Sequence, residues 1–458
     1  MYMKKEQTKK EKPNYKSTVL TEDALYEMIY DRLTNTTSYI KMDTRGQMEF
    51  FLEEATIGKE KYKPYPPTYN LIDKNVILFP SMAFPYENEE EILTEIRAFI
   101  HKYLDITETY EQIATYYVLF TWLYDKFNEV PYLRAIGDFG SGKSRFLQTI
   151  GALCYKPTFT GGATTTAPIF RILDEARGTL ILDEADLKFS DMTTDIIKIL
   201  NGGYQKGGNV LRMGGKTMED LKAFDVFGPK VVATRETFSD KALESRFLVE
   251  EMGIGKLRTD IPRTLKNDFY KDAEMIRNKL LMWRLKNYFS PVVYREELIE
   301  GIHPRLNQIV IPLLSIIQKE ETREQLKNFI IEYNGELTSD RGFSWESDIV
   351  FAILKIEYEQ MGYEVTVKEI AKSVNDQIDE DGETLTARKV GWYLRKRLQL
   401  KPYRRNRGYV LSFKTNRQKL DFWKERYGIT DADIRGEQVN DVNDVNVTDE
   451  IIKQQEIF

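Results

Sequence analysis

Apolar residues recur at helical spacing from Glu89 to Leu104 and from Thr109 to Phe127, and each stretch predicts an amphipathic helix. Another helical pattern, near Ala24 to Leu33, gives way to short apolar runs and the Pro-rich stretch Lys63 to Pro67, which suggests a small irregular α+β module. Three runs then change the period. Tyr132 to Ile136, Thr179 to Leu182 and Lys230 to Ala233 are short, aliphatic or β-branched, and bounded by Gly, Pro or acidic residues. Buried parallel strands read this way, because both faces are covered. Helical patterns over Lys143 to Leu153 and Asp191 to Leu200 lie between them and complete a βαβ layering. After about Gly255 the pattern is helical through Glu336, and residues 344 to 414 predict three helices and a two-strand ribbon.

A length of 458 residues fits roughly three domains. The expected division is a disordered basic arm (1–20), a small α+β module (21–87), an α/β core (88–254), a helical lid (255–338), a small α+β domain (340–414), and a helix with a disordered acidic tail (415–458). With 41% hydrophobic and 30% charged residues the chain is of the soluble globular class. A single cysteine, Cys154, excludes an internal disulfide framework and multi-cysteine metal sites. The two histidines, His101 and His303, are too far apart in sequence to suggest a zinc site or a triad. The start, MYMKKEQTKKEKPNYK, has no apolar stretch behind its lysines, and the apolar run Ile113 to Tyr124 is too short for a bilayer. The cytoplasm is the expected location.

A formal charge of −6 hides a lopsided distribution. Between Thr386 and Leu420 stand Arg388, Lys389, Arg395, Lys396, Arg397, Lys401, Arg404, Arg405, Arg407, Lys414, Arg417 and Lys419, with no acidic residue among them. These residues fall on a helix capped by Thr386 and on a strand–turn–strand from Lys401 to Phe413, after an earlier short helix opening at Val365. That is the layout of a winged helix, with Arg388, Lys389, Arg395 and Lys396 on the recognition helix and Arg404, Arg405 and Arg407 on the wing. Contact with DNA phosphates is the expectation; a solvated basic face or a protein-interaction module are the alternatives. Of the neighbouring Trp392 and Tyr393, one must face the domain core.

The clearest chemistry lies at Gly137-Asp138-Phe139-Gly140-Ser141-Gly142-Lys143-Ser144, a full G-x-x-x-x-G-K-[ST] match between a predicted strand and a helix that begins Arg145-Phe146-Leu147. Backbone N–H groups of such a loop cradle a β-phosphate at the helix N-terminus. Lys143 is expected to reach the β- and γ-phosphates and Ser144 to ligate Mg²⁺. The strand Thr179 to Leu182 ends in Asp183-Glu184, which assigns Asp183 to the metal and Glu184 to the attacking water as general base. Thr234, ending the third strand, is a candidate γ-phosphate sensor or an ordinary strand-end threonine. Arg246, within Leu243-Glu244-Ser245-Arg246-Phe247, is a candidate arginine finger or a structural salt-bridge partner. Between the second and third strands, Asn209 to Gly228 carries two apolar–polar runs around Gly214-Gly215-Lys216, which suggests a β-hairpin.

In this order and at these distances the motifs resemble an AAA+ ATPase over roughly residues 88 to 335, within the MCM-like and superfamily III-like replicative helicases of phages, plasmids and other mobile elements. Tyr132 to Ser144 resembles their first strand and phosphate loop, Gly178 to Asp186 their second motif, and Ala242 to Phe247 their finger segment. The resemblance implies a finger acting in trans, hence a ring, usually a hexamer, using ATP and Mg²⁺. It implies that Lys216, or Arg212 beside it, contacts DNA from a pore hairpin, and that Arg305 in His303-Pro304-Arg305-Leu306-Asn307-Gln308 is a second sensor on the lid. No DNA-binding fold before residue 88 and no primase motif is recognisable. The expected function is therefore a DNA motor, most simply a replicative helicase on single-stranded or forked DNA, working with other replication proteins. An initiator or loader that remodels DNA locally, and a DNA-binding regulator switched by ATP, are the alternatives.

Overall fold

The computed structural model describes residues 13–161, 166–183, 191–213, 221–238, 241–253, 257–291, 298–302, 304–342, 345–360, 362–376, 384–406 and 408–435. The chain divides into two compact units, Met1–Phe329 and Ile330–Phe458.

The first unit opens with β1 (Asn14–Tyr15), β2 (Thr18–Leu20), β3 (Ala24–Asp31), β4 (Thr36–Asp43), β5 (Met48–Leu52), β6 (Ala55–Ile57), β7 (Glu60–Lys63) and a one-turn helix α1 (Asn70–Asp73). Strands β2-β3-β4-β5 form an antiparallel sheet, and β1-β7-β6 a smaller one. Two expectations change here. Residues 14–20 are not a free arm: β2 pairs with β3, and Val19 and Ser17 are buried. Ala24 to Leu33 is not a helix but the paired strand β3, hydrogen-bonded on both sides. Its ALYEMIYD sequence satisfies either period, and a distant partner decides. Glu27 of β3, fully buried, accepts from Arg284 Nε at 2.8 Å and from the Tyr155 hydroxyl at 2.8 Å, and faces Lys156 Nζ at 3.2 Å. Arg284 also holds Asp125 with two bonds of 2.9 and 2.7 Å. Buried charges persist only when paired in this way, so the module is locked onto the core rather than hung from it.

Helices α2 (Glu89–Tyr103) and α3 (Glu108–Thr121) follow, each begun by a side-chain cap, Asn88 to the Glu91 N–H and Thr107 to the Tyr110 N–H. The core then runs β8 (Tyr132–Ile136), α4 (Lys143–Gly151), β9 (Thr158–Thr160), α5 (Thr166–Ala176), β10 (Leu180–Leu182), α6 (Asp191–Gly202), β11 (Val210–Met213), β12 (Leu221–Phe224), β13 (Lys230–Thr234), α7 (Lys241–Glu244) and β14 (Phe247–Glu251). Strands β14-β8-β13-β10-β9 make one five-stranded sheet, every neighbouring pair parallel, while β11 and β12 form a separate antiparallel hairpin. This is a parallel α/β layering of the kind the three apolar runs predict. Helices α8 (Asn267–Asn287), α9 (Pro304–Ile316) and α10 (Glu320–Gly342) follow, and the division between the units falls inside α10.

The second unit contains α11 (Trp345–Gln360), β15 (Glu364–Thr366), α12 (Val367–Asn375), α13 (Ala387–Lys396), β16 (Tyr403–Arg405), β17 (Gly408–Ser412), α14 (Phe413–Arg426) and α15 (Asp431–Arg435). The three strands form one antiparallel sheet, order β15-β17-β16, of which β15 adds a strand to the expected ribbon. Ile349, Ile353, Ile370, Val390, Leu394 and Leu411 anchor its core. Among the described residues no helix is long and apolar enough to cross a membrane.

Buried lysines make this fold sensitive to pH. Lys230 is fully buried at the start of β13, where it donates to Val226 O at 3.0 Å and Gly228 O at 2.8 Å; burial drives its pKa down to about 7. Burial likewise lowers Lys156 to about 8. In the unfolded chain both bind protons up to the ordinary lysine value of 10.5. The unfolded state thus holds more protons above about pH 7, and stability rises with pH there. Burial raises the phenols of Tyr117, Tyr132 and Tyr155 above the ordinary value of 10.0, so the trend reverses once unfolded tyrosines ionise. The urea midpoint should climb between about pH 7 and pH 9 and fall above about pH 10, and Lys230→Met should flatten the climb. A midpoint that falls steadily from pH 7 in the native protein contradicts these burial effects.

Candidate functional site

Strand β8 ends at Ile136, and the chain makes the phosphate loop before entering α4 at Lys143. A Cβ on Gly137 would lie 2.6 Å from the Met252 carbonyl oxygen and 2.8 Å from Ser141 Oγ, so only glycine fits where the loop leaves the sheet. Gly142 caps α4 in the left-handed region at φ 98°, which aims the first helical N–H groups into the loop. No acidic residue occupies the first turn of α4, leaving its positive end open to an anion. Lys143 folds back over the loop and donates to Gly137 O at 2.5 Å and Asp138 O at 2.7 Å.

The second motif meets the first in space. Ser144 Oγ donates to Asp183 Oδ2 at 3.1 Å across 39 positions, joining the start of α4 to the end of β10. A hydroxyl and a carboxylate are hard oxygen donors suited to Mg²⁺. Strand β13 lies between β8 and β10, so Thr234 ends between the two motifs; its carbonyl accepts from the Gly137 N–H at 3.3 Å. Among the described residues the Thr234 hydroxyl is buried without a hydrogen-bond partner, as is that of Ser141 in the loop. An orphaned buried hydroxyl costs ~1–3 kcal/mol, and a polar group entering the loop would relieve that cost. Lysine, serine, carboxylate, strand-end threonine and open helix end therefore fit a nucleoside triphosphate with its magnesium ion at the C-terminal edge of the sheet, where α/β folds bind ligands. Glu184 lies outside the described residues.

Arg246 sits at the other end of the same sheet. Phe247 is level with Tyr132 in the parallel β14–β8 pair, so Arg246 is more than five residues from Gly137 along the strand direction, ~17 Å or more. It cannot serve the loop of its own chain. Its position is fixed by its neighbours: Arg134 of β8, buried mid-strand, grips Glu244 with two bonds of 2.7 and 2.6 Å. Arg246 itself is 6% exposed, donates to Asn201 Oδ1 at 2.5 Å, and lies 4.3 Å from the Tyr204 ring centroid. These neighbours include an amide near the end of α6, 45 positions away, and a ring just beyond that helix. No local signal in the sequence pairs Asn201 or Tyr204 with Arg246; only the sheet order does.

Other candidates are distributed unevenly. Arg145 follows Lys143 by two positions and so leaves α4 on a different face; it donates to Pro262 O at 2.8 Å and Arg263 O at 2.9 Å, strapping the chain beyond β14 to α4. Asp138, Phe139 and Gly140 form the exposed crest of the loop. The hairpin has the expected pairing, Val210 with Phe224 through Met213 with Leu221, but Arg212 is tied back to Asp195 of α6 by an ion pair and to the Phe170 ring at 4.6 Å. Lys216 and Arg407 lie outside the described residues, as does the side chain of Arg305.

In the second unit Thr366 and Glu369 form a capping box on α12, and Thr386 caps α13 by accepting from the Lys389 N–H at 3.2 Å. Helix α13 buries Val390, Gly391 and Leu394 and exposes Arg388, Arg395 and Lys396. Arg404 is exposed on β16, while Arg405 pairs with Glu364 at 2.7 Å. Tyr393 packs against the core and Trp392 faces outward.

No family model and no curated protein matches this chain. Solved structures do. The C-terminal region of NrS-1 in its A-form apo structure is 11% identical, covering 84% of this chain and 96% of that one, with a TM-score of 0.34. A structure described as SCCmec type IV Cch, active helicase, is 10% identical over 88% of this chain and 99% of that one, with a TM-score of 0.32. A point mutant of Thermotoga maritima RuvB is 14% identical over 69% and 95%, with a TM-score of 0.23. At scores this low, the reading of this chain rests on its own residues.

Proposed function

We propose that this chain is an ATP- and Mg²⁺-dependent DNA motor of the AAA+ class, acting as a replicative helicase of a mobile genetic element and assembled as a ring, most simply a hexamer. The observation that carries the reading is the meeting of Lys143, Ser144, Asp183 and Thr234 at one edge of the sheet while Arg246 sits at the other. One copy has half of a shared site at each end.

Backbone N–H groups from Gly140 to Ser144 would bind the phosphates, with Lys143 turning from the loop carbonyls to the β- and γ-oxygens. Ser144 and Asp183 would hold magnesium, which supplies charge neutralisation across those oxygens. Glu184 would orient and deprotonate the attacking water, and Thr234 would report the γ-phosphate through the strand that binds both motifs. Arg246 of one copy would stabilise charge developing in the loop of the next, with Arg305 as a second sensor from the lid. The hairpin would act against the DNA backbone through Lys216, or through Arg212 beside it. The second unit would be a winged-helix domain whose Arg388, Lys389, Arg395, Lys396, Arg404, Arg405 and Arg407 hold DNA phosphates.

The test is strand displacement on a forked duplex with ATP and Mg²⁺ at low salt. The motor reading expects displacement that requires hydrolysis. DNA-stimulated hydrolysis without displacement would assign the chain instead to initiation or loading, and slow turnover indifferent to DNA to an ATP-switched regulator.

A further inference from the structure

The outward side of the second unit carries rings where a solvated basic face needs none. On α13, Arg388, Trp392 and Arg395 stand at i, i+4 and i+7 and share one face. Trp392 is 47% exposed, and on the adjoining ribbon Tyr409 is 51% exposed. Helix and ribbon are joined there, since the Arg395 guanidinium lies 5.8 Å from the Tyr409 ring centroid. Arg404 pairs directly across from Tyr409 on β16, continuing the alternation of cation and ring. Some of the positive charge is already used: Arg397 pairs with Glu346, Arg405 with Glu364, and Arg417 with Glu357 and Asp421. Among the described residues no carboxylate pairs with Arg388, Arg395, Lys396 or Arg404. Two of these cations, Arg395 and Arg404, lie beside the exposed Tyr409 ring, while Arg397, the cation 6.0 Å from the Trp392 ring centroid, is already paired with Glu346.

A helix that reads duplex DNA needs hydrogen-bonding side chains aimed at base edges, and an exposed indole offers one N–H donor there while most of its surface is an apolar ring face. Unpaired bases are different, because each has a face that stacks on an aromatic ring while cations follow the backbone. We propose that this face binds single-stranded DNA, with Trp392 and Tyr409 as stacking platforms and Arg388, Arg395, Lys396 and Arg404 on the phosphates. The proposal rests on the DNA-motor reading and names its substrate: the second unit holds the strand already separated, not the duplex ahead.

The full chain is titrated without nucleotide into labelled oligo-dT and into a blunt duplex of equal length. Trp392→Ala should weaken oligo-dT binding ~10-fold and leave the duplex within about two-fold, and Trp392→Phe should recover most of the loss. Arg388→Ala should lower the salt slope of oligo-dT binding by about 1. A bromouracil-substituted oligonucleotide should photocrosslink to the peptide containing Trp392, whatever other DNA sites the chain has. Equal losses on both substrates, or a crosslink confined to other peptides, would overturn the proposal. Unchanged DNA affinity with altered self-association would give the ring to a protein contact and overturn it too. A native chain that binds neither DNA defeats the underlying motor reading, which a selective failure of Trp392→Ala does not.

Discussion

Lys143→Ala protein should hydrolyse ATP at least ~10²–10³-fold more slowly than the native chain, the loss that follows removal of one preorganised donor to developing oxyanion charge. The expectation comes from where the ammonium lies. It is held by two loop carbonyls at 2.5 and 2.7 Å, within reach of anything the loop N–H groups bind. Its removal takes away the one side-chain cation within the loop motif, while Gly137 and Gly142 still dictate the loop's path. Native-like thermal unfolding with absent hydrolysis is the expected pairing, and DNA-stimulated turnover retained in this variant would refute the site.

Arg246→Ala should cost ~10³–10⁵-fold in hydrolysis while ATP and DNA still bind, the range typical of an arginine finger. Because Arg246 lies at the sheet end opposite its own loop, the loss has to be felt by a neighbouring copy. Mixing Arg246→Ala protein with Glu184→Gln protein tests this directly. Interfaces that join an intact Glu184 loop to an intact Arg246 should restore part of the activity, although each variant alone is inactive. No recovery on mixing would contradict shared sites and leave Arg246 as a packing residue, a role its contacts with Asn201 and Tyr204 already fill. If both roles hold, drawing Arg246 toward a neighbour's nucleotide would release Asn201 at the end of α6, close to where the hairpin begins.

What could be read from the sequence divides by range. The strands at Tyr132–Ile136, Leu180–Leu182 and Lys230–Thr234 lie within one residue of expectation, because a strand covered on both faces is a continuous apolar run. The loop was legible because its glycines answer local demands of backbone and clash. Two strands of the sheet carry no such run: Thr158–Thr160 is three residues with threonine at both ends, and Phe247–Glu251 ends in two glutamates. Ala24 to Leu33 carries a helical pattern yet Ala24–Asp31 is a strand, since its pairing, and the burial of Glu27 against Arg284 257 positions away, are tertiary facts. The same holds for the partners of Arg246 and for the outward turn of Trp392. Chemistry carried by motifs is visible even across the sheet, as with Ser144 and Asp183, and partners that belong to no motif, such as Asn201, are not.

The most direct test is steady-state ATP hydrolysis with and without single-stranded DNA, at low salt with Mg²⁺, and with Lys143→Ala protein as the blank. Turnover that rises several-fold with DNA and vanishes in the blank is the predicted result. Turnover that DNA leaves unchanged, or that persists in the blank, would contradict the account of this chain as a DNA-driven ATPase.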